Sequence, residues 1–211
     1  MKILKRLLVV LAILVILAAI AGFFFLQNLR KSALPDYEKE QPVAGLTKEV
    51  TVYRDSLAIP HIYAEDEADL YRAVGFTMAQ DRLWQMDLLR RFTQGRLSEI
   101  LGKDQQNTDL LMRALRIEEK SKKVMAQSSP EVISILAVFS EGVNHYMENF
   151  PLPPEFRVLG YEPEPWKPVH SINLIGYMAW DLSSGWETEM VLHLVQQELG
   201  REKVKDLIPK M

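Results

Sequence analysis

AQDRLWQMDLLRR, residues 79–91, sets Gln80, Asp81, Arg82, Asp87, Arg90 and Arg91 among Leu83, Trp84, Met86, Leu88 and Leu89 at helical spacing. Two readings compete for it. One is a solvated surface helix with Asp87 and Arg91 paired at i, i+4. The other is a helix whose polar groups are buried together, which is costly unless every group finds a partner.

Working outward, the helix is predicted to start after Asp66, which can cap it, with Glu67 and Asp69 favouring the positive end of the dipole. It runs over residues 66–92, with Ala68, Tyr71, Gly75, Met78, Leu83, Met86 and Leu89 as its apolar stripe. Upstream, EVTVYRD (residues 49–55) alternates as a strand does, Pro60 forces Ile59 to be extended, and HIYA continues as a second extended piece. Such a pair is marginal in water by itself. Few other strand candidates occur, which hints that partner sequence lies elsewhere. Downstream, a short helix over residues 95–101 ends at Gly102, and further helices are predicted at about 108–127, 130–149, 170–182 and 187–206. Ser129 as cap with Pro130 in the first turn fits the start at 130. The proline-rich loop LPPEFRVLGYEPEPWKP would be packed down by Phe156, Tyr161 and Trp166. The fold class is therefore mostly α with a short N-terminal β-strand pair, without internal repeats.

LLVVLAILVILAAIAGFFFL, residues 7–26, is a run of twenty residues without a charge. As a helix it spans about 30 Å, the thickness of a bilayer core. Lys2, Lys5 and Arg6 precede it and would stay cytoplasmic. A cleaved signal ending near Ala21 and an uncleaved anchor both fit; the length favours the anchor, since signal cores are usually about 7–15 residues. Either way the rest of the chain lies outside the cytoplasm. The expected division is an anchor or signal segment at 1–29, a juxtamembrane linker at 30–47 and a folded region at 48–211. With 48% apolar and 25% charged residues, the composition is globular. A net charge of −3 offers no basic field for nucleic acid. The absence of cysteine excludes disulfides, thiolate metal sites and cysteine nucleophiles.

The four histidines (His61, His145, His170 and His193) show no i, i+4 zinc spacing, and His145 reads as structural. There is no Gly-x-Ser-x-Gly elbow and no phosphate loop. Asp181, Glu187 and Glu189 gather carboxylates near Gly185, where oxygen ligands for calcium could converge, although a solvated helix start explains the spacing as well.

Residues 48–210 resemble the start of the penicillin acylase family of N-terminal-nucleophile hydrolases. The likeness rests on Arg54-Asp55, Ile59-Pro60-His61-Ile62, Asp69-Leu70, Gly75-Phe76, AQDRLWQM, Gly95-Arg96-Leu97 with Glu99 and Gly102, and on FSEGVNHYM, LPPEFRVLGYEPEPWKP and GYMAWDLSSGWETEM. The resemblance implies the first-chain part of an αββα fold, in a precursor that cuts itself to expose a serine nucleophile on a second (beta) chain. No serine here matches the family's Gly-Ser-Asn cleavage site, so this chain alone is expected to be inactive. The complete enzyme would cleave a small linear acyl amide. By position, Met178 and Leu182 match the wall of the acyl pocket, Asp181 a gate residue, and Glu189 a calcium ligand, with Glu187 as the fallback. The resemblance also implies that the polar groups at 80–82 are buried ties between the two chains, with Asp87–Arg91 wet. Ala58 departs from the glycine common before Ile-Pro-His; at positive φ it would cost about 1 kcal/mol. The alternative reading is a membrane-anchored helical interaction protein without catalysis.

Overall fold

The computed structural model describes residues 2–32, 34–183, 185–200 and 203. Helix α1 (Lys2–Ser32) carries the apolar run; within Arg6–Leu29 an 18-residue window has mean hydropathy 3.2, and none of that window is buried. Strands β1 (Thr51–Arg54) and β2 (Pro60–Tyr63) pair antiparallel, with Val52 opposite Ile62 and Tyr53 opposite His61. Among the described residues they form a sheet of two strands only. The other elements are helical, as expected: α2 (Glu67–Gln94), α3 (Ser98–Leu101), α4 (Gln106–Leu115), α5 (Ile117–Gln127), α6 (Pro130–Asn149), α7 (Pro154–Leu159), α8 (Pro168–Leu182) and α9 (Trp186–Leu199).

The caps follow local chemistry. Asp66 accepts from the Ala68 and Asp69 amides, and Ser129 accepts from the Val132 amide ahead of α6. Two boundaries differ from expectation. Gly95, at φ 63°, ends α2 instead of opening the next helix, which starts at Ser98. The helix expected over 108–127 is two, because Arg116 at φ 56° breaks it. Helix α9 ends at Leu199, with Gly200 at φ 81°; of the rest of the helix expected to 206, Lys203 is helical and the other positions lie outside the described residues.

The core is the crossing of α2 with α6. A Cβ on Gly75 would lie 2.1 Å from the Phe139 carbonyl oxygen, and one on Gly142 would lie 2.0 Å from the Arg72 carbonyl oxygen. Only glycine lets the two backbones come this close. Phe76, Ala79, Leu83 and Met86 of α2 then meet Val143 and Tyr146 of α6, and Phe156 and Trp166 close the cluster. The buried face of α2 thus runs through Asp69, Ala73, Phe76, Ala79 and Leu83, not along Ala68, Tyr71 and Met78. The reason is Asp69. Its carboxylate, fully buried, accepts from the Thr47 hydroxyl (2.7 Å), the Thr47 amide (3.0 Å) and the Lys48 amide (3.0 Å), so a polar group sits comfortably on the inner face. Those bonds, the Thr47 hydroxyl first, hold its pKa below the ordinary carboxylate value.

The segment ahead of the strands is held down as well. Tyr37 donates to Asp81, the His145 Nε2 donates to the Pro42 carbonyl at 2.9 Å, and Val43 packs on the core cluster. His145 is therefore a structural group.

Candidate functional site

Of the residues singled out from the sequence, Met178, Asp181 and Leu182 lie on α8 and Glu189 on α9; the two halves of α8 have opposite surroundings. Its first half is locked in. Val169, His170, Ile172 and Asn173 are buried. The Asn144 side chain brackets Trp166, donating to its carbonyl (3.0 Å) and accepting from its amide (2.7 Å), and the Trp166 indole donates to Ser171. The Lys167 amide donates to His170 Nδ1 at 3.0 Å. Burial, with Arg90 and Lys167 nearby, pushes the His170 pKa down to about 4. Further along, Gly176 lies against Ile117, and Tyr177 packs edge-on to Phe92 of α2 with centroids 5.1 Å apart.

The second half leaves the core. Ile175, Met178 and Leu182 are 66%, 57% and 80% exposed and recur at helical spacing. Asp181 is exposed beside them. On α9, Met190, Val191 and Leu194 are exposed too. A bare apolar stripe on a helix that is otherwise anchored marks a contact surface. The structure thus brings Met178, Asp181 and Leu182 onto one helical end. The carboxylate of Glu189 is exposed and has no partner among the described residues, and the Glu187 side chain lies outside them. Among the described residues no three His, Cys, Asp or Glu gather as a metal site. Glu189 therefore fits a calcium ion only as one ligand of several.

The opening segment resolves into two polar clusters; the expectation fails for Asp87, Arg91 and Arg82 and is met in part for Gln80 and Asp81. Asp87 and Arg91 are buried, and Arg82 is exposed. Asp87, 2% exposed, pairs with Arg90, with Arg91 Nε (3.1 Å) and with the Tyr161 hydroxyl (2.9 Å). Arg91 also donates to Glu99 at 2.8 Å and lies over the Tyr161 ring. Arg90 donates to the Glu164 carbonyl at 2.7 Å, which fixes the loop that leads into α8. Arg96 grips the Glu164 and Glu99 carboxylates, and its hydrogen bond holds the Glu164 pKa down to about 2. The pair expected to be wet is buried because the proline-rich loop folds over it, an event that helical spacing does not encode.

The second cluster sits one residue before the kink of α2, where Arg82 has φ −141° and ψ 18°. Here Arg54 of β1 forks onto Asp81 (2.8 and 3.0 Å) and Gln80 (3.0 Å) and stacks on the Tyr37 ring. So Gln80 and Asp81 are half-buried ties to the hairpin and to the segment before it, all within this chain. The likeness of Arg54-Asp55 and AQDR to the family's motifs was the one sequence signal for this cluster.

Comparison with known proteins agrees with this architecture. The family model described as penicillin amidase matches residues 49–211. Penicillin acylase 2 proenzyme from Pseudomonas sp. (strain SE83) is 41% identical over 157 residues, covering 74% of this chain and 20% of that protein. The acyl-homoserine lactone acylase QuiP from Pseudomonas fluorescens is 31% identical over 181 residues, 85% of this chain and 22% of that protein. Among solved structures, thermostable penicillin G acylase from Alcaligenes faecalis superposes with a TM-score of 0.61 at 27% identity, covering 75% of this chain and 88% of that chain. The chain spans about a fifth of the length of the curated relatives it matches. With that family model matching residues 49–211, this chain belongs to the penicillin amidase family.

Proposed function

We propose that this chain is the first-chain portion of an amidohydrolase that cleaves a linear acyl amide, with the nucleophilic serine on a second chain. The observation that carries this reading is the exposed stripe of Ile175, Met178 and Leu182 on an anchored helix, in a chain whose match covers about a fifth of its acylase relative. Met178 and Leu182 would form part of the wall for an apolar acyl group, and Asp181 would stand at its mouth. The second chain's terminal serine would attack the amide carbonyl, its own α-amine taking the hydroxyl proton. Glu189 would give one oxygen to a calcium ion; the rest of the six to eight such an ion takes would come from the second chain.

Helix α1 is read as an anchor that keeps the folded part outside the cytoplasm, supported by its length and its wholly unburied apolar window. Carbonate extraction tests it: the chain should stay with membranes, and a soluble form beginning at Gly22 would mean a cleaved signal.

Activity is tested by co-expressing this chain with a second chain that begins in serine. The pair should hydrolyse an aryl-acetyl amide, Met178→Ala should raise KM more than it lowers kcat, and this chain alone should be inactive. Turnover by the lone chain would overturn the reading. In calorimetry the lone chain should show no calcium binding tighter than millimolar, and micromolar binding would mean that the metal site is complete here.

A further inference from the structure

We propose that the proline-rich turn carrying α7 rests on the membrane surface beside the point where α1 emerges. In this arrangement Val158 dips among the headgroups and Arg157 reaches their phosphates. The inference depends on the reading of α1 as an uncleaved anchor and adds an orientation to it. Arg6–Leu29 extends about 36 Å as a helix, slightly more than a bilayer core, so Leu29 falls at the outer interface. Leu29 is not in open solvent there. It is 7% exposed, because α1 touches α7, and it lines a hollow of about 500 Å³ with the segment from Pro151 to Glu162. Contact with a residue at the interface places α7 within about one helix diameter, roughly 10 Å, of the headgroups.

Three features fit that position. Val158 is 69% exposed, as a residue prepared to enter lipid would be. Arg157 is exposed beside it with no ion-pair partner among the described residues, and its aliphatic stem lets the guanidinium reach a phosphate while the backbone stays shallow. Exposed Leu34 borders a second hollow that shares Pro151 with the first, so the apolar rim continues around the exit of α1. The orientation is held from the other side. Tyr37 bonded to Asp81, and Thr47 and Lys48 bonded to Asp69, tie the segment after α1 to α2, so the folded part cannot swing freely on its anchor. Glu155 and Glu162 in the same turn offset Arg157, so a zwitterionic phospholipid suffices and no anionic lipid is required.

The chain has no cysteine, so a single introduced thiol reports one place. The full chain is reconstituted in phosphatidylcholine vesicles as Val158→Cys or Val124→Cys, each labelled with an environment-sensitive fluorophore. Val124 is exposed on α5 and lines neither hollow. Lipids bearing a headgroup nitroxide should quench the label at 158 several-fold more than the label at 124, and a water-soluble quencher should show the reverse order. Equal quenching at both positions, with the chain still resistant to carbonate, would overturn the inference and leave the anchor intact. Release by carbonate would overturn both.

Discussion

Ala58 closes the turn between the strands at φ 61°. Its amide donates to the Asp55 carbonyl, and the Asp55 side chain accepts from the Leu57 and Ile59 amides, so the turn is fixed around it. A β-carbon in the left-handed region costs roughly 1–2 kcal/mol, part of which glycine's entropy in the unfolded chain takes back. Ala58→Gly should therefore stabilise the protein by up to about 1 kcal/mol, read as a higher urea midpoint. His170 is the other residue with a defined consequence. Buried and accepting from the Lys167 amide, it stays neutral down to about pH 4, whereas the unfolded chain binds the proton near the ordinary 6.5. The unfolded state thus holds more protons between those values. The contribution of neutral His170 is fully present above pH 6.5 and is lost as pH falls toward 4, at most on the order of 3 kcal/mol. Denaturation midpoints followed by circular dichroism should decline across that window. His170→Asn, whose carbonyl can still accept from Lys167, should remove part of the decline.

Helix α2 touches nearly everything that positions the candidate site. Its middle crosses α6 at Gly75 and Gly142, its kink is gripped by the hairpin through Arg54, and its end holds the loop into α8 through Arg90 and Arg91. The charged end looks expensive to bury, yet each carboxylate there has at least one cationic partner and a second donor, which is what makes burial tolerable. The crossing is the more fragile of these contacts. Gly142→Ala would drive a methyl into the Arg72 backbone, which cannot rotate away as a side chain does. The expected loss is about 1–3 kcal/mol. Gly176→Ala, where the nearest atom is a methyl of Ile117 at 3.2 Å, should lose clearly less. Equal losses in the two variants would show that the α2–α6 approach is looser than described.

Taken whole, the chain builds a good core on one side and leaves surfaces bare on the other. The outer ends of α8 and α9 show apolar residues to solvent, and among the described residues the two strands have no third to pair with. Such surfaces bind hydrophobic dyes and weaken cooperativity. Residues 30–211 expressed alone should be helical by far-UV circular dichroism, bind dye and melt broadly. A sharp melt without dye binding would show that the exposed stripe needs no partner.

Elements whose causes are local were legible in the sequence: the apolar span of α1, the caps at Asp66 and Ser129, the strand pair, and the helices at 130–149 and 170–182. Each depends on neighbours within a turn or two of the chain. The family likeness was legible because motifs keep their order and spacing, and it pointed to Met178, Asp181 and Leu182, which the structure brings onto one end of α8. Other features depended on residues far apart in sequence. Asp87 and Arg91 are buried because Tyr161, 74 residues beyond Asp87, folds over them. Asp69 faces inward because Thr47 and Lys48 return to meet it. Helical spacing says which residues share a face; only tertiary packing says which face is inside, because burial of a charge is decided by the partners that the rest of the chain brings to it.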